Sequence, residues 1–386
     1  MTEPTIFLIA TEESGDRLGA GLMRSLRGRL DGRVRFAGIG GRAMEAEGFS
    51  SLFPIHELSI IGFAAVVARL PELLKRIREA ADEVLRVDPA MLVIIDSPDF
   101  THRVARRVRA RNASIPIVDY VSPTVWAWRP GRAKAMRRYV DHVLALLPFE
   151  PEVHARLGGP PCTYVGHPLM QQLADLRPST AAEQSRRSEE PPVLLVLPGS
   201  RRSEIRHHMD VFGETLRRLH NEGVRFDAVL PTLPHVAEQV AEAVRMWPVK
   251  PRIVTTEEEK RAAFRMARAA FAKSGTVSLE LALAGVPMVV TYRAGAIEIW
   301  IGRQLVNLTT IILANLVLGE NVIPDHLQED CTPDKLVPAL RDVLSDTPQR
   351  RRQVEAFAKL DTIMSTGGQP PSERAAEIVI AHLRAR

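Results

Sequence analysis

Short apolar runs alternate with amphipathic stretches along most of the chain, and this alternation predicts strands separated by helices. The strand-like runs are TIFLIA, VRFAGIG, MLVIID, IPIVDYVS and HVLALLP, followed by VLLVLP, FDAVLPT, RIVTT, AAFAK and MVVTY. Continuous apolar strands are typical of parallel sheets that are covered by helices on both faces. The pattern therefore predicts an α/β fold with two doubly wound, Rossmann-like domains.

The apolar periodicity is lost over residues 169–192, where Ser, Pro, Gln and charged residues mark a linker. We predict a first domain over residues 1–168 and a second over residues 193–345. Residues 346–386 are predicted to be a helical tail, and packing of this tail on the first domain is one arrangement that the sequence leaves open. Because ligands of doubly wound sheets bind beyond the carboxyl ends of the strands, two facing domains would enclose a cleft between their loops.

Composition narrows the class of partner. The 386 residues include 51 basic and 46 acidic side chains, and the basic excess is concentrated in residues 101–111 and 129–138. Such patches favour phosphates, nucleic acid or an acidic membrane face. Nucleic acid is disfavoured, because only 5% of the residues are aromatic and no zinc-finger or RNA-binding signature is present.

Metal centres and disulfides are not expected. Cys162 and Cys331 are far apart in the sequence, and the histidines His167, His207 and His208 are separated from other ligand-type residues. This cysteine usage favours a reducing compartment. The longest uncharged stretch, residues 305–319, falls short of the ~20 apolar residues that span a membrane, so we expect membrane contact to be peripheral.

One loop of the second half has the residue types that hold a phosphate group. In LPGSRRSEI, Gly199 lets the backbone approach a ligand, Ser200 precedes free amides at a helix start, and Arg201 can bind phosphate oxygens with its forked guanidinium. The alternative interpretation is an ordinary strand-to-helix turn with a solvated arginine.

A second loop in the same half strengthens the phosphate hypothesis. KSGTVSLELALAGVP places Ser274, Gly275 and Thr276 at another helix start, whose dipole would favour a diphosphate. Glu280 lies one turn further along and could accept both hydroxyls of a ribose, or be a surface glutamate. Two such loops favour a nucleotide site, although neither is a Walker P-loop.

Acidic residues follow the strands of the first half. Asp96 ends a buried strand in MLVIIDSPDF, where an unpaired carboxylate is costly, so it is either bonded to loop amides or functional. The first loop, ATEESGDRLGAG, offers Glu12, Ser14 and Asp16 at the same rim, although Ser14 and Asp16 would also suit a helix cap.

Eight segments resemble, in order and spacing, the signature blocks of the lipid-A-disaccharide synthases. They are ATEESGD, IIDSPDF, DYVSPTVWAWR, LLPFEP, YVGHPL, LPGSRRSEI, AKSGTVSLELALAGVPMVVTYR and ANLVLGENVIPDHLQEDC, and the match spans residues 5–335. The resemblance implies a two-domain glycosyltransferase of the B-type fold. It would join UDP-2,3-diacylglucosamine to 2,3-diacylglucosamine 1-phosphate with inversion, giving a β-1,6 disaccharide and UDP at the cytoplasmic face of the inner membrane.

The resemblance also implies residue roles. The two phosphate-type loops would hold UDP, and Asp96 would be the base. The other cleft residues would be Glu12 and Asn315, as further catalytic residues, and Ser14 and Asp16, on the acceptor side. Helix-start amides and Arg201 would stabilise the charge on the leaving diphosphate, so no metal or other cofactor is expected. The chain departs from the family pattern at Thr11, where glycine is usual, and at Glu320, where a basic residue is usual.

The segment VSPTVWAWRPGRAKAMRR combines two indoles with positive charge. We predict that Trp126 and Trp128 shape the acceptor side of the cleft, while Arg129, Arg132 or Lys134 binds the acceptor phosphate. Burial of one or both indoles in the domain core is the alternative.

An apolar cluster at the start of residues 58–85 is predicted to contact the membrane and the acyl chains. Its residues are Ile60, Ile61, Phe63, Val66 and Val67. The helical stripe that follows, from Leu73 to Leu85, fits a core helix.

Two other functions remain open at this point. A UDP-sugar epimerase, or an N-acetylglucosaminyltransferase that acts on another lipid, would share the nucleotide loops but not the Trp-Ala-Trp-Arg segment. A noncatalytic nucleotide-sugar or lipid carrier would not release UDP when both substrates are mixed.

Overall fold

The computed structural model describes residues 3–58, 70–293, 295 and 310–384. The chain divides into two compact units, Met1–His167 with Thr366–Arg386, and Pro168–Ser365. Each unit contains a six-stranded sheet in which all strand pairs are parallel. The predicted α/β fold with two doubly wound sheets is confirmed.

The first unit is built on strands β1 to β6. Their bounds are Thr5–Ala10, Arg35–Ile39, Met91–Ile95, Ile117–Tyr120, His142–Ala145 and Cys162–Tyr164. The described helices of this unit are Glu13–Arg29, Arg42–Glu45, Leu70–Val87, Pro98–Arg111, Gly131–Met136, Glu150–Arg156 and Pro371–Arg384, with a 3₁₀ turn at Ile55–Glu57. Apolar side chains fill both faces of the sheet, because successive strand residues alternate between two separate buried clusters.

The second unit is built on strands β7 to β12. Their bounds are Val193–Leu197, Asp227–Pro231, Arg252–Val254, Ala269–Lys273, Met288–Tyr292 and Asp325–Leu327. The described helices are Leu173–Leu176, Ala181–Arg186, Arg202–Asn221, Ala237–Arg245, Glu257–Met266, Val277–Leu283, Leu313–Leu318, Pro333–Leu344 and Pro348–Ile363, with 3₁₀ turns at Pro168–Gln172, Pro234–Val236 and Gln328–Asp330. Its main apolar core includes the stacked rings of Phe212 and Phe271.

The strand order of each sheet identifies the edge position where a doubly wound fold binds its ligand. The first sheet has the order β2-β1-β3-β4-β5-β6, and the second has the order β12-β11-β10-β7-β8-β9. Chain direction across the sheet reverses between β1 and β3 in the first unit, and between β7 and β10 in the second. Ligands of doubly wound sheets bind outside the carboxyl ends of the strands at these switch points.

The predicted linker and tail differ from the observed structure. Residues 169–192 are not an open linker, because they form helices that belong to the second unit, where Arg187 donates to the carbonyl oxygens of Phe264, Arg265 and Ala284. The tail is divided between the units. Helix Pro348–Ile363 belongs to the second unit, and the final helix packs in the first, where Arg29 forms ion pairs with it.

Candidate functional site

A cavity of about 470 Å³ lies in the second unit at the switch point of its sheet. Both predicted phosphate loops line it, one after β7 and one after β10. The predicted nucleotide-binding residues that line the cavity are Gly199, Ser200, Arg201, Gly275, Thr276 and Glu280. The structure therefore brings together two loops that are more than 70 residues apart in the sequence.

Ser274 is the predicted nucleotide-binding residue that the structure places elsewhere. Its side chain is buried, and its hydroxyl donates to the carbonyl oxygen of Ile311 at 3.1 Å. Ser274 is not among the residues that line the cavity. Its observed role is to join the loop after β10 to the segment that precedes helix Leu313–Leu318.

The first loop makes a close turn that only glycine can occupy without strain. Gly199 has φ of 132°, and a Cβ atom at this position would lie 2.6 Å from Cβ of Glu204. The amides of Ser200 and Arg201 donate to Oε2 of Glu204 at 2.9 and 3.3 Å. These amides are therefore not the free donors that the sequence predicted.

Glu204 also binds the lysine at the end of β10. Nζ of Lys273 donates to Oε1 of Glu204 at 2.8 Å and lies 5.2 Å from the centre of the Tyr292 ring. Burial of Glu204 disfavours its charged form, but Lys273 and the two loop amides outweigh burial and lower the pKa of the carboxyl group. The sequence predicted no role for Glu204 or Lys273, although they lie in the two phosphate-type segments, LPGSRRSEI and KSGTVSLELALAGVP.

A second lysine and carboxylate lie at another part of the cavity. Nζ of Lys260, from helix Glu257–Met266, donates to Oε1 of Glu280 at 2.7 Å. Both side chains line the cavity and are largely buried. Glu280 is therefore positioned by a buried ion pair, which excludes the alternative of a solvated surface glutamate.

In the first unit, Asp96 follows β3 at the switch point. Asp96 and Ser97 have φ of 53° and 46°, and Val121, after the neighbouring strand β4, has φ of 88°. Left-handed backbone is unfavourable for a β-branched residue, and such strain is concentrated at functional sites. Asp96 is partly exposed, its Oδ1 accepts the Ser97 amide at 2.7 Å, and it forms no ion pair with a described residue.

A buried polar chain lies beside Asp96. Arg106 and His102 both contact the Tyr139 hydroxyl at 3.1 Å, and Nε2 of His102 lies 3.1 Å from Oδ2 of Asp119. Arg106 donates to the Tyr139 hydroxyl, which also contacts Nδ1 of His102, and the other ring nitrogen of His102 faces Asp119. Burial raises the pKa of Asp119, His102 opposes this, and the nearby charge of Asp96 adds to it.

The three candidate residues in the loop after β1 have different surroundings. Glu12 precedes helix Glu13–Arg29 as an exposed N-cap residue, and Ser14 is exposed in its first turn. Asp16 is buried, and its carboxylate accepts the amides of Gly41, Ala43 and Met44 at 2.8 to 3.0 Å. Asp16 is therefore a helix-capping residue. It caps helix Arg42–Glu45 and not its own helix, Glu13–Arg29.

The two indoles are not equivalent. Trp126 is partly buried, packs edge-on against Phe149 beside a small apolar cluster and donates to Oε1 of Glu150 at 3.3 Å. Trp128 is also partly buried, and the guanidinium carbons of Arg129 and Arg132 lie 4.2 and 5.8 Å from its ring centre. The two indoles therefore differ in their neighbours, which are apolar for Trp126 and cationic for Trp128.

Arg132 also connects this group to the loop after β3. Its guanidinium donates to Oδ1 of Asp99 at 3.2 Å, and its charge acts on Asp119. The predicted base and the predicted phosphate-binding arginine thus lie in the same neighbourhood of the first unit.

Asn315 was predicted to be catalytic, and its surroundings contradict this prediction. Its amide group donates to Oγ1 of Thr310 and to the carbonyl oxygen of Ile323, and its carbonyl oxygen accepts the amides of Val322 and Ile323. All of its hydrogen-bonding capacity is used within the second unit, and only 1% of the residue is exposed. Asn315 therefore holds the loop after helix Leu313–Leu318.

The two departures from the family pattern are both accommodated. Thr11 is buried directly after β1. Glu320 is exposed and accepts a hydrogen bond from Arg352 at 2.7 Å. Its charge is therefore neutralised by helix Pro348–Ile363.

The predicted membrane-contacting residues lie outside the described residues. They are Ile60, Ile61, Phe63, Val66 and Val67. Among the helices that the structure describes, none combines the length and apolar character needed to cross a membrane. In the same described part of the chain, no group of three or more His, Cys, Asp or Glu side chains could hold a metal ion.

The chain is similar in sequence to proteins of a known family over nearly its whole length. The family model for lipid-A-disaccharide synthetase matches residues 6–379. The lipid-A-disaccharide synthase of Rhodopseudomonas palustris is 69% identical over 98% of this chain and 96% of its own length. The corresponding protein of Nitrobacter hamburgensis is 67% identical over the same shares of the two chains.

Solved structures share the fold at low sequence identity. The S. aureus MnaA-UDP co-structure has a TM-score of 0.64 at 12% identity and covers 99% of this chain and 98% of that one. The glycosyltransferase of kitacinnamycin has a TM-score of 0.61 at 16% identity and covers 99% of this chain and 100% of that one. These similarities place the two parallel sheets in the fold shared by B-type glycosyltransferases and UDP-sugar epimerases.

Proposed function

The chain belongs to the lipid-A-disaccharide synthase family, and we propose that it joins UDP-2,3-diacylglucosamine to 2,3-diacylglucosamine 1-phosphate, giving the β-1,6 disaccharide and UDP. The observation that carries this proposal, together with family membership, is the cavity of the second unit, which both phosphate-type loops line at the switch point. The enclosure of the substrates between two facing domains stays a prediction.

The second unit is proposed to bind the UDP part of the donor. Gly199, Ser200 and Arg201 would approach the diphosphate from one side of the cavity, and Gly275 and Thr276 from the other. Glu280, held by Lys260, would accept the ribose hydroxyls. Preorganised cations that face the departing diphosphate would stabilise the charge that develops there.

The first unit is proposed to activate the acceptor. Asp96 would take the proton of the acceptor's primary hydroxyl as that oxygen bonds to the anomeric carbon of the donor. The bond from the anomeric carbon to the diphosphate breaks in the same step, UDP leaves, and the configuration inverts. A partly exposed carboxylate on a strained loop, without an ion-pair partner among the described residues, is suited to this role.

A membrane location is proposed from charge and from the substrates. Six exposed cations lie on helix Pro98–Arg111 and on the segment from helix Gly131–Met136 to Arg138, and none forms an ion pair with a described residue: Arg103, Arg106, Arg107, Lys134, Arg137 and Arg138. We call these residues the basic surface. It would hold the enzyme peripherally against the anionic inner face of the inner membrane, where acylated substrates reside.

The test of the proposed function is product formation. Purified protein is mixed with UDP-2,3-diacylglucosamine and the acyl-sugar phosphate, and disaccharide and UDP are quantified together. We expect equal amounts of both, with the same rate in excess EDTA, because we propose that no metal or other cofactor is needed. UDP release without disaccharide would contradict a transferase, and binding without turnover would indicate a carrier.

The proposed role of Asp96 gives the first mutational prediction. Asp96→Asn keeps the size of the side chain but removes the base, so kcat is expected to fall by at least about 100-fold, while the Kd for UDP is unchanged. The matched control is Asp82→Asn, because Asp82 is an exposed carboxylate of the same unit that pairs with Arg111. A kcat of Asp96→Asn within about threefold of the control would refute this role.

A further inference from the structure

The proposed function leaves Lys273 and Glu204 without a role, although they lie where the two loops of the cavity meet. Glu204 binds the first loop, since its Oε2 accepts the amides of Ser200 and Arg201. Its Oε1 accepts Nζ of Lys273, the last residue of β10, at 2.8 Å. One carboxylate therefore connects the loop after β7 with the strand that leads into the loop after β10.

The ammonium group of Lys273 also reaches the second loop. A Cβ atom on Gly275 would lie 3.7 Å from Nζ of Lys273, so the ammonium sits beside this glycine. Lys273 lines the cavity, and one of its three N–H donors is used by Glu204. No described residue accepts a hydrogen bond from the other two donors, which face the space between the two loops.

The other cations of the cavity are placed differently. The side chain of Arg201 is 70% exposed and its guanidinium lies 3.9 Å from Glu204, whereas the side chain of Lys273 is 14% exposed. Lys260 is bound to Glu280. Lys273 is thus a largely buried cation that is held beside both loops, by Glu204 on one side and next to Gly275 on the other.

Glu204 is surrounded by the groups that it positions, which are two amides of the loop after β7 and the ammonium group of Lys273. Both carboxylate oxygens are occupied by three donors of the protein, and 14% of the side chain is exposed. A lysine side chain has many rotamers, and a fixed acceptor at its end restricts the ammonium to one place. Removal of the carboxylate would free the ammonium and leave two loop amides without their acceptor.

We propose that Lys273 binds the diphosphate of the donor nucleotide, and that Glu204 is the positioning residue that holds the Lys273 ammonium between the two loops. This inference rests on the proposed function, because it assumes that the cavity binds a nucleoside diphosphate. It predicts that the two residues act on the phosphate groups and not on the nucleoside.

Calorimetric titrations with UDP and with uridine test the role of Lys273. Lys273→Met is expected to raise the Kd for UDP by about 10- to 100-fold, since a charged hydrogen bond is lost, and to change the Kd for uridine by less than about twofold. Lys273→Arg keeps the charge and is expected to retain UDP affinity within about fivefold. The control is Lys335→Met, whose lysine pairs with Asp330 on the exposed surface of the same unit.

Glu204→Gln tests the positioning role. This variant is expected to raise the Kd for UDP by about tenfold and the donor KM in parallel, with uridine affinity unchanged. In the Lys273→Met background the same change is expected to add less than about twofold, because residues that act as a unit are not additive. Glu214→Gln is the control on the same helix, since Glu214 pairs with Arg217 and Arg218 outside the cavity lining.

Three results would overturn the inference while leaving the proposed function intact. They are unchanged UDP affinity in Lys273→Met, equal losses for UDP and uridine in either variant, and tighter UDP binding in Glu204→Gln. The last result would show that the carboxylate competes with phosphate. Failure of the wild-type protein to bind UDP would overturn both the inference and the proposed function.

Discussion

Glu150 illustrates how the first unit keeps a carboxyl group in its interior. The side chain accepts hydrogen bonds from the Leu147 amide and the Trp126 indole, at 3.0 and 3.3 Å, and 3% of the residue is exposed. Burial nevertheless dominates and raises the pKa of Glu150 to about 7. The folded protein therefore favours the protonated acid at pH values where the unfolded chain is ionised.

This raised pKa makes stability depend on pH. The stabilisation is fully present below the usual pKa of about 4.5 and is lost as the pH rises to about 7. The free energy of unfolding is expected to fall by on the order of 3 kcal/mol over this range because of Glu150. Burial also lowers the pKa of His142, His154 and His167, and these groups titrate in both proteins. Denaturant titrations from pH 4.5 to 8 should therefore show the fall as a change in the difference between the wild type and Glu150→Gln.

The exposed neighbour Glu152 provides the matched control for this experiment. Glu152→Gln should follow the wild-type dependence on pH, because its side chain is exposed. A constant difference between wild type and Glu150→Gln at every pH would contradict the buried-acid interpretation.

At single positions, the residue type predicted where a side chain lies better than it predicted which group the side chain contacts. Asp96 follows a buried strand as expected, and Glu280 lines the cavity as expected. Asn315 and Ser274 were assigned to ligands, but their hydrogen bonds are used by backbone groups that approach only after folding. Lys273 could have been found, because a lysine that ends a buried strand directly before a small-residue loop must place its charge at the sheet edge.

Among the elements, the loop from β7 to helix Arg202–Asn221 depends most strongly on a single residue. Gly199→Ala would introduce a Cβ atom 2.6 Å from Cβ of Glu204 and force alanine to adopt φ of 132°. Since both atoms belong to backbone-fixed positions, the loop must shift. We expect the Kd for UDP to rise by at least about tenfold, with a loss of about 1 to 3 kcal/mol in the free energy of unfolding.

Gly223→Ala is the control for this prediction. Gly223 also has positive φ, at 85°, but a Cβ atom there would meet nothing within 4 Å. Its substitution is expected to cost stability through the backbone alone and to leave UDP affinity unchanged. Equal effects of the two variants on UDP binding would show that the turn at Gly199 does not shape the cavity.

The elements predicted best are those with strong apolar patterns. Strands β1 and β10 coincide with the predicted runs TIFLIA and AAFAK. The edge strands β6 and β12 were missed, because each has three residues and none of them is fully buried. Residues 169–192 were misread as a linker, since their helices are short and polar and are held by arginine contacts that no apolar periodicity reports.

For the whole molecule, the sequence predicts that basic charge is concentrated in two segments, and the structure shows which of these side chains are exposed. The net charge is only +5, yet the basic surface presents six exposed cations without ion-pair partners among the described residues. Nearby acids are already neutralised, as Asp99 pairs with Arg132, and Asp141 with Arg109. The field of this surface is thus available to an external anionic partner.

Membrane association is therefore expected to depend on this surface. Each basic side chain near an anionic bilayer contributes about 1 kcal/mol, so Arg107→Gln/Arg137→Gln/Arg138→Gln should weaken binding to phosphatidylglycerol-containing vesicles by on the order of 100-fold. The control replaces three exposed arginines of the second unit with glutamine, Arg225, Arg245 and Arg252. Both triple variants lose the same net charge, so a difference between them reports local contact and not overall attraction. Co-sedimentation is measured at 50 and 300 mM salt, where the screening length is about 14 and 6 Å. Equal losses in the two variants would show that net charge alone draws the protein to the vesicles, and binding that persists at high salt would assign the association to apolar contact instead.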